Sequence, residues 1–491
     1  MLLLGIDIGT SSVKVAIVDA ATARTLVSVQ YPETERDIIS LQPGWAEQSP
    51  AQWWADTKLA IKKAKATRAY NPKEIQAIGI AYQMHGLVCV DNDQNVLRHS
   101  IIWCDSRAVP YGNRAFETIG PEKCLSHLLN SPGNFTAAKL AWVKENEPGV
   151  FDRIDKIMLP GDYIAMKLTG DITTSISALS EGIFWDLKHN ELSKDVMRFF
   201  GFNEAIIPAI KDVFTIHGTL GKAVAEELCL TPGTPVTYKA GDQPNNALSL
   251  NVLEPGEVAA TAGTSGVIYG VSDQPAFDPQ SRVNTFAHVN HTADINRLGV
   301  LLCINGAGSM NRWSRQTAGH HLSYTQMNDA ARVIAPGNDG LQILPFGNGA
   351  ERMLSNKNIG ASMHNINLNT HTQAHFFRAS QEGIAFAFRY GLDIMRQNGM
   401  TPQVIRAGRA NMFLSDTFTH AFVNATNVPV ELYDCDGSVG AAIGAGIGVG
   451  YYQSAKDAFS QSKPLVLIEP VQATLYDELY NDWKQILEKQ L

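Results

Sequence analysis

The opening of the chain alternates short apolar runs with polar breaks: LLLGIDI at 2–8, VKVAIVD at 13–19 and TLVSVQY at 25–31. Runs of this length, rich in Leu, Ile and Val and interrupted by a GTSS segment, predict strands joined by tight turns. At Ser49-Pro50 the period changes. A capping serine before proline at the first helical position predicts a helix through AQWWADTKLAIKKAKA, with Trp53, Thr57, Ala60 and Ile61 on its buried face. Strand character returns at 76–82 (QAIGIAY) and 86–91 (GLVCVD). Strands first, then helix and strand in alternation, indicate an α/β class with a mixed sheet.

The pattern then begins again. IDIGTSSVKVAIV at 6–18 is matched by ATAGTSGVIYGVS at 260–272, each with Gly-Thr-Ser between two apolar runs. Internal similarity of this kind predicts a duplicated domain. Leu253-Glu254-Pro255-Gly256 reads as the boundary, which divides the chain into domains 1–250 and 251–491. A length of 491 residues, too great for one compact core, agrees with that division. A single Gly-Thr-Ser is an ordinary turn. Two in matching context, the first preceded by Asp7, point to backbone N–H groups and hydroxyls that grip a polyphosphate between two domains.

Composition narrows the class. Hydrophobic residues at 45% and charged residues at 18% describe a folded protein. A formal net charge of -8 offers no basic footprint, so nucleic acid and anionic membranes are not expected as partners. The start MLLLGIDIGTSS lacks the basic region of a signal peptide, and no stretch has the apolar length of a membrane helix. Six scattered cysteines without a C-x-x-C pair fit free thiols, and a cytoplasmic location is expected. His371 and His375 have metal-pair spacing but no third ligand in sequence, so a solvated helix face is expected there. The run Gly440–Gly450, led by Asp436-Gly437-Ser438, predicts a buried helix of the second domain. No Walker-type phosphate loop occurs.

Seven segments carry a family likeness: GIDIGTSS (5–12), QMHG (83–86), IIWCDSR (101–107), FTAAKLAWV (135–143), YKAGDQPNNA (238–247), NGAGS (305–309) and RAGRAN (406–411). In this order they resemble the FGGY family of carbohydrate kinases, which includes glycerol, gluconate and xylulose kinases and is related to actin and hexokinase. The resemblance implies two duplicated actin/hexokinase-like (ribonuclease H-like) α/β domains flanking a cleft. The first would bind a small-molecule sugar and the second ATP with Mg2+, and a homodimer is a family-level expectation. By the same likeness Asp242 would be the catalytic base, and Met84, His85 and Gln243 would contact the sugar, with Asn245 or Asn246 as further candidates; Asp105 beside Trp103 is able to accept a sugar's hydroxyl protons, the alternative being a buried tryptophan and a surface ion pair. Thr10, Ser11, Ser12 and Lys14 would face the phosphates together with Gly263 and Thr264. Gly308 and Gly408 would border the adenosine, and Asp7 with Asp242 would serve the magnesium ion.

Q-M-H-G is similar to the sugar-site motif of the xylulose kinases, and the arginine-glutamate pair of glycerol kinases is lacking. D-Xylulose is therefore the implied substrate. Another ketose or polyol (ribulose, fuculose, glycerol), or a non-catalytic ATP- and sugar-binding sensor, stays open at this point. Trp103 offers a flat apolar surface beside a sugar. The spacing of 135–143 is helical, and that segment is assigned packing with no chemistry. At 406–411, Arg406, Ala407 and Arg409 replace the small residues of a glycine-glycine-glycine-alanine run, which leaves the adenine contacts open.

Overall fold

The computed structural model describes residues 1–460 and 462–491. Its first sheet holds β1 (Leu2–Ile8), β2 (Val13–Asp19), β3 (Arg24–Tyr31), β4 (Ile75–Tyr82), β5 (Phe214–Thr219) and β6 (Pro235–Gly241), in the order β5-β6-β4-β1-β2-β3. The second holds β7 (Glu257–Ala262), β8 (Gly266–Ser272), β9 (Asn284–Ala287), β10 (Leu298–Ile304), β11 (Val404–Gly408), β12 (Val430–Tyr433) and β13 (Val466–Ile468), in the order β9-β10-β8-β7-β11-β12-β13. Around them lie helices α1 (Pro50–Ala66), α2 (Thr136–Asn146), α3 (Ile176–Glu181), α4 (Asp242–Ser249), α5 (Ala307–Ala318), α6 (Tyr324–Arg332), α7 (Gln373–Gln397), α8 (Asp416–Thr426) and α9 (Gly437–Gly448).

The two sheets share one design. In each, an antiparallel meander of three strands (β1-β2-β3; β7-β8-β10) is extended beyond its first strand by two parallel strands (β4 and β6; β11 and β12). Both Gly-Thr-Ser segments are the tips of the first hairpin of their sheet. The duplication read from the sequence is therefore an architectural one.

Side-chain size decides how each face of the first sheet is covered. Leu4, Ile6, Ile8, Val13, Val15 and Ile17 point one way and bury Trp53, Ala60, Ile61 and Ala64 of α1. Ser49 precedes α1 as expected, but its hydroxyl makes no capping hydrogen bond, so Pro50 alone marks the start. The alternate residues of the sheet are small: Gly5, Ala16, Ala77, Gly79, Ala81 and Ala240. They admit α9, whose Ala441, Ala442 and Ala445 join the same cluster. A Cβ on Gly5 would lie 1.8 Å from the Ser438 carbonyl oxygen, and one on Gly79 1.9 Å from that of Ala441. Only glycine permits backbone contact this close.

The glycine-rich run is thus a buried helix, as expected, but it covers the first sheet and not the second. Its counterpart α4, which follows β6, packs Ala247 against Ala259, Tyr269 and Val271 of the second sheet. Each domain lends the other a helix. A further tie is made at β9, where Ser177 and Ser180 of α3 bond the backbone of Ala287 at 2.9 Å and Asn130 accepts from Thr285 N at 3.0 Å.

Two smaller expectations change. His371 lies before α7, and His375 is buried in the first turn, where its Nδ1 accepts from Thr372 N at 3.1 Å as part of a capping box. Neither belongs to a solvated helix face. All six cysteines are unpaired, and among the described residues no helix is long and apolar enough to cross a membrane.

Candidate active site

Asp7 ends the small-residue face of β1, opposite Lys14 of β2. It sits against the first turn of α9, so closely that a Cβ on Gly437 would be 2.5 Å from its Oδ2. Burial pushes its carboxyl up to about 6, with Lys14 opposing and Asp436 adding to the rise. Asp242 follows β6 and is the first residue of α4, so the expected turn is the N-terminus of a helix. Burial, and then the charge of Asp7, raise its carboxyl to about 7, against hydrogen bonds from Gln243. In register, Asp7 is level with Ala81 of β4 and Ala240 of β6, which brings both acids to one end of the sheet.

Two half-buried carboxylates, Asp7 raising the pKa of Asp242, concentrate negative charge at this end of the sheet. Oxygen ligands of this kind, few in number, suit a magnesium ion that keeps most of its coordination for water and phosphate. The residues present fit that ion. The second hairpin has Thr261 where the first has Asp7, and its hydroxyl accepts from Asn246 at 3.3 Å. Of the two copies of the duplicated hairpin, only the first carries a carboxylate at this position.

β4 delivers Gln83-Met84-His85-Gly86 beside these acids. Gln83 N donates to Ile8 O at 2.8 Å and its side chain to Gln48 Oε1 at 2.9 Å. Gln48 in turn holds the Thr10 carbonyl at 2.6 Å. The Thr10 hydroxyl accepts from the Trp103 indole at 3.0 Å and donates to Gln83 Oε1 at 3.3 Å. With that hydroxyl occupied, the tip offers its backbone N–H groups, Ser11, Ser12 and the Lys14 ammonium, which lies 3.7 Å from Asp436.

His85 adopts a left-handed backbone, φ 62°, uncommon for a residue with a side chain. Four residues hold it there. Its N–H donates to Glu181 Oε1 at 3.0 Å, its carbonyl accepts from Lys139 Nζ at 2.7 Å, and its ring packs on Phe135 and on Phe286 of the second domain. Nδ1 lies 3.2 Å from the Glu181 carbonyl. A carbonyl only accepts, so this contact puts the proton on Nδ1 and leaves a lone pair on Nε2. Burial, with Lys139 adding, lowers the imidazole to about 3, so it is neutral at physiological pH.

Glu181 and Lys139, which bond the His85 backbone, are the site residues that sequence reasoning does not single out. Both are buried, and Glu181 Oε2 has no protein partner and lies where a Gly241 Cβ would touch it at 2.7 Å. Burial raises the Glu181 carboxyl well above its ordinary value and lowers the Lys139 ammonium to about 7. For Lys139 the available signal is a charged residue in the largely apolar stretch 135–143.

Asp105 requires a correction. Its side chain is fully enclosed, its oxygens bonded to Ala46 N at 2.6 Å, to Arg107 N at 2.8 Å and to the Arg107 guanidinium at 2.7 Å. Arg107 also pairs with Glu47 at 2.7 Å and stacks 3.7 Å above Trp45. No lone pair of Asp105 faces the cleft, so it braces the segment and takes no sugar hydroxyl. Trp103, 52% exposed, is what that segment presents. Asn245 is likewise committed, to Tyr238 at 3.2 Å and to Gly437 O at 2.9 Å, which pins α4 to α9. Gln243, the second residue of α4, is partly exposed.

A cavity of about 600 Å³ opens in the second domain, lined by Gly263, Thr264, Gly308, Tyr324, Asn411 and Met412 among others. Gly308 N and Ser309 N donate to Gly263 O and Thr264 O, each at 2.9 Å, so the N-terminus of α5 sits on the second hairpin tip. A Cβ on Gly308 would fall 2.2 Å from Gly263 O; its glycine serves that contact. Gly408 ends β11 and is not part of the lining, which on this stretch starts at Asn411. Arg406 points elsewhere, paired with Glu257 at 2.9 Å and Glu431 at 2.8 Å across the sheet.

Models of the FGGY family of carbohydrate kinases match residues 2–249 with the N-terminal domain and 258–449 with the C-terminal domain. The chain belongs to this family. It is a sugar kinase. Among curated relatives of this kinase, the xylulose kinase of Bacillus subtilis is 30% identical over 471 residues, 93% of this chain and 90% of the relative. Among solved structures, that of xylulose kinase from Rhodospirillum rubrum superposes with TM-score 0.89 at 25% identity, covering 100% of this chain and 99% of the other. Plasmodium falciparum glycerol kinase with ADP shares the fold, TM-score 0.90 at 20% identity, over 100% of this chain and 98% of its own. ATP-dependent sugar phosphorylation follows from membership.

Proposed function

We propose that this kinase transfers the γ-phosphoryl group of ATP to the 5-hydroxyl of D-xylulose, with Asp242 as general base. The observation that carries the reading is the carboxyl of Asp242, raised to about 7 at the end of β6 and adjoining Gly241, where a Cβ would meet both Met84 and Glu181. A base poised near the working pH is half ionised at neutrality and able to take a proton. The named xylulose kinase relatives support the ketose.

In this reading the sugar lies against Met84 and Trp103, and the lone pair of His85 Nε2 accepts one of its hydroxyls. Glu181 and Lys139 touch no substrate in this scheme; they hold the His85 backbone in its left-handed state. The 5-hydroxyl gives its proton to Asp242 as its oxygen bonds to phosphorus, and the bond to ADP breaks. Asp7 and Asp242 would hold Mg2+, which supplies positive charge to the phosphate oxygens. The two hairpin tips contribute backbone N–H groups from both domains, and the 600 Å³ cavity takes the nucleoside. The charge of Asp7 raises the pKa of Asp242, so a cation that offsets it would favour the ionised, basic form of Asp242.

The test is ADP release with MgATP and D-xylulose, ribulose, fuculose, glycerol, gluconate or no sugar. Selective stimulation by D-xylulose is expected, and Asp242→Asn should lower kcat by about 10²–10⁴-fold. Preference for a different sugar overturns the substrate; an unchanged Asp242→Asn rate overturns the base.

A further inference from the structure

Away from the cleft, a hairpin made by Trp185–Asp186 and Glu191–Leu192 folds over the C-terminal end of the short helix Pro121–His127. Leu187 N donates to His127 O at 2.8 Å, fixing the two together. At this junction Asp186 Oδ2 lies 2.9 Å from His127 Nδ1 and 2.9 Å from His189 Nδ1. The three ligand atoms fall within 4.8 Å of one another, the one such set of three among the described residues. Nothing in the proposed reaction uses them.

We propose that His127, Asp186 and His189 form a binding site for a transition-metal dication of the zinc class. Three features favour it. The donor set, two imidazoles and a carboxylate, is that of zinc, cobalt and nickel sites, not of magnesium. Asp186 Oδ1 is held by the backbone N–H groups of Lys188 at 3.0 Å and His189 at 2.9 Å, so the carboxylate is fixed with Oδ2 turned to the rings. The His189 side chain is 53% exposed while that of Asp186 is 7% exposed, which leaves an open side for a water as fourth ligand and a sheltered anion beneath.

A tetrahedral ion about 2.0–2.2 Å from each atom needs ligand spacings of about 3.3 Å. The two 2.9 Å contacts are close to that, so with small side-chain rotations each ring carries its proton on Nε2 and turns the Nδ1 lone pair to the ion. Lys188 Nζ, 3.5 Å from His127 Nε2, opposes a cation, and the Lys194 ammonium is also within range of Asp186. Filling the site would staple the hairpin that continues from α3, the helix that carries Glu181.

The test uses the untagged full-length chain, free of nucleotide, titrated with Zn2+ by calorimetry and with Co2+ by visible absorption. One ion per chain is expected, with the visible bands of a low-symmetry N/O cobalt site. His189→Ala and His127→Gln should each weaken binding by at least about 10-fold, and Lys188→Gln should tighten it. Kinase activity with Mg2+ and circular dichroism confirm that the variants are folded. Absence of stoichiometric uptake, unchanged affinity in His189→Ala, or a thiolate charge-transfer band in the cobalt spectrum would each overturn the site.

Discussion

Asp242→Asn should make the protein more stable while removing its activity. The Asp242 carboxyl titrates at 3.8 in the unfolded chain and at about 7 in the folded one. The folded state therefore holds the proton more tightly. Below pH 4 both states carry it and no penalty exists; as pH rises to 7 the folded state loses stability, and above 7 the loss is constant. At ~1.4 kcal/mol per unit the ceiling is ~4 kcal/mol. The repulsion is shared with Asp7 and the side chain is partly open to the cleft, so about half, ~2 kcal/mol, is expected at pH 8. At pH 5.5 the gain should fall to about 1 kcal/mol. Urea denaturation of both proteins without Mg2+ or nucleotide, followed by tryptophan fluorescence, reads this directly. A variant no more stable than the parent at pH 8, or a gain that does not shrink at pH 5.5, would refute the reasoning.

Gly79→Ala should destabilise by about 3 kcal/mol or more, since its Cβ would stand 1.9 Å from the Ala441 carbonyl; denaturation and soluble yield report it. Asp105→Asn breaks a sealed ion pair and should cost about 3–5 kcal/mol of stability, yet leave the ranking of sugars in the ADP-release panel unchanged. His85 is held neutral with its pKa near 3, so sugar KM should show no limb near pH 6.5 that disappears in His85→Asn. The pH dependence of KM in both proteins decides that point.

The hairpins, the duplication and the first helix were legible because period and turn chemistry are local properties of the chain. Strands β1, β2 and β8 end within a residue or so of where the apolar runs end. The partner of α9 was not legible. Its small residues announce close packing, but only the matching Gly5 and Gly79, hundreds of residues away, say against what. Asp105 illustrates the opposite failure: a polar residue beside an exposed tryptophan looks like a sugar ligand until Glu47 and Arg107 are seen to enclose it. Glu181 and Lys139 escaped because burial and the left-handed state of His85 are tertiary facts.

The exchange of α4 and α9 has a consequence for how the chain is made. The last strand of the first sheet leaves the ribosome roughly 200 residues before α9 does, an interval of ~10–40 s at ~5–20 residues per second. Throughout it, the alanine- and glycine-paved face of that sheet has no cover of its own. The nascent first domain is an unfinished object that waits for the far end of the message, and a chain cut at residue 250 should depend on chaperones or aggregate.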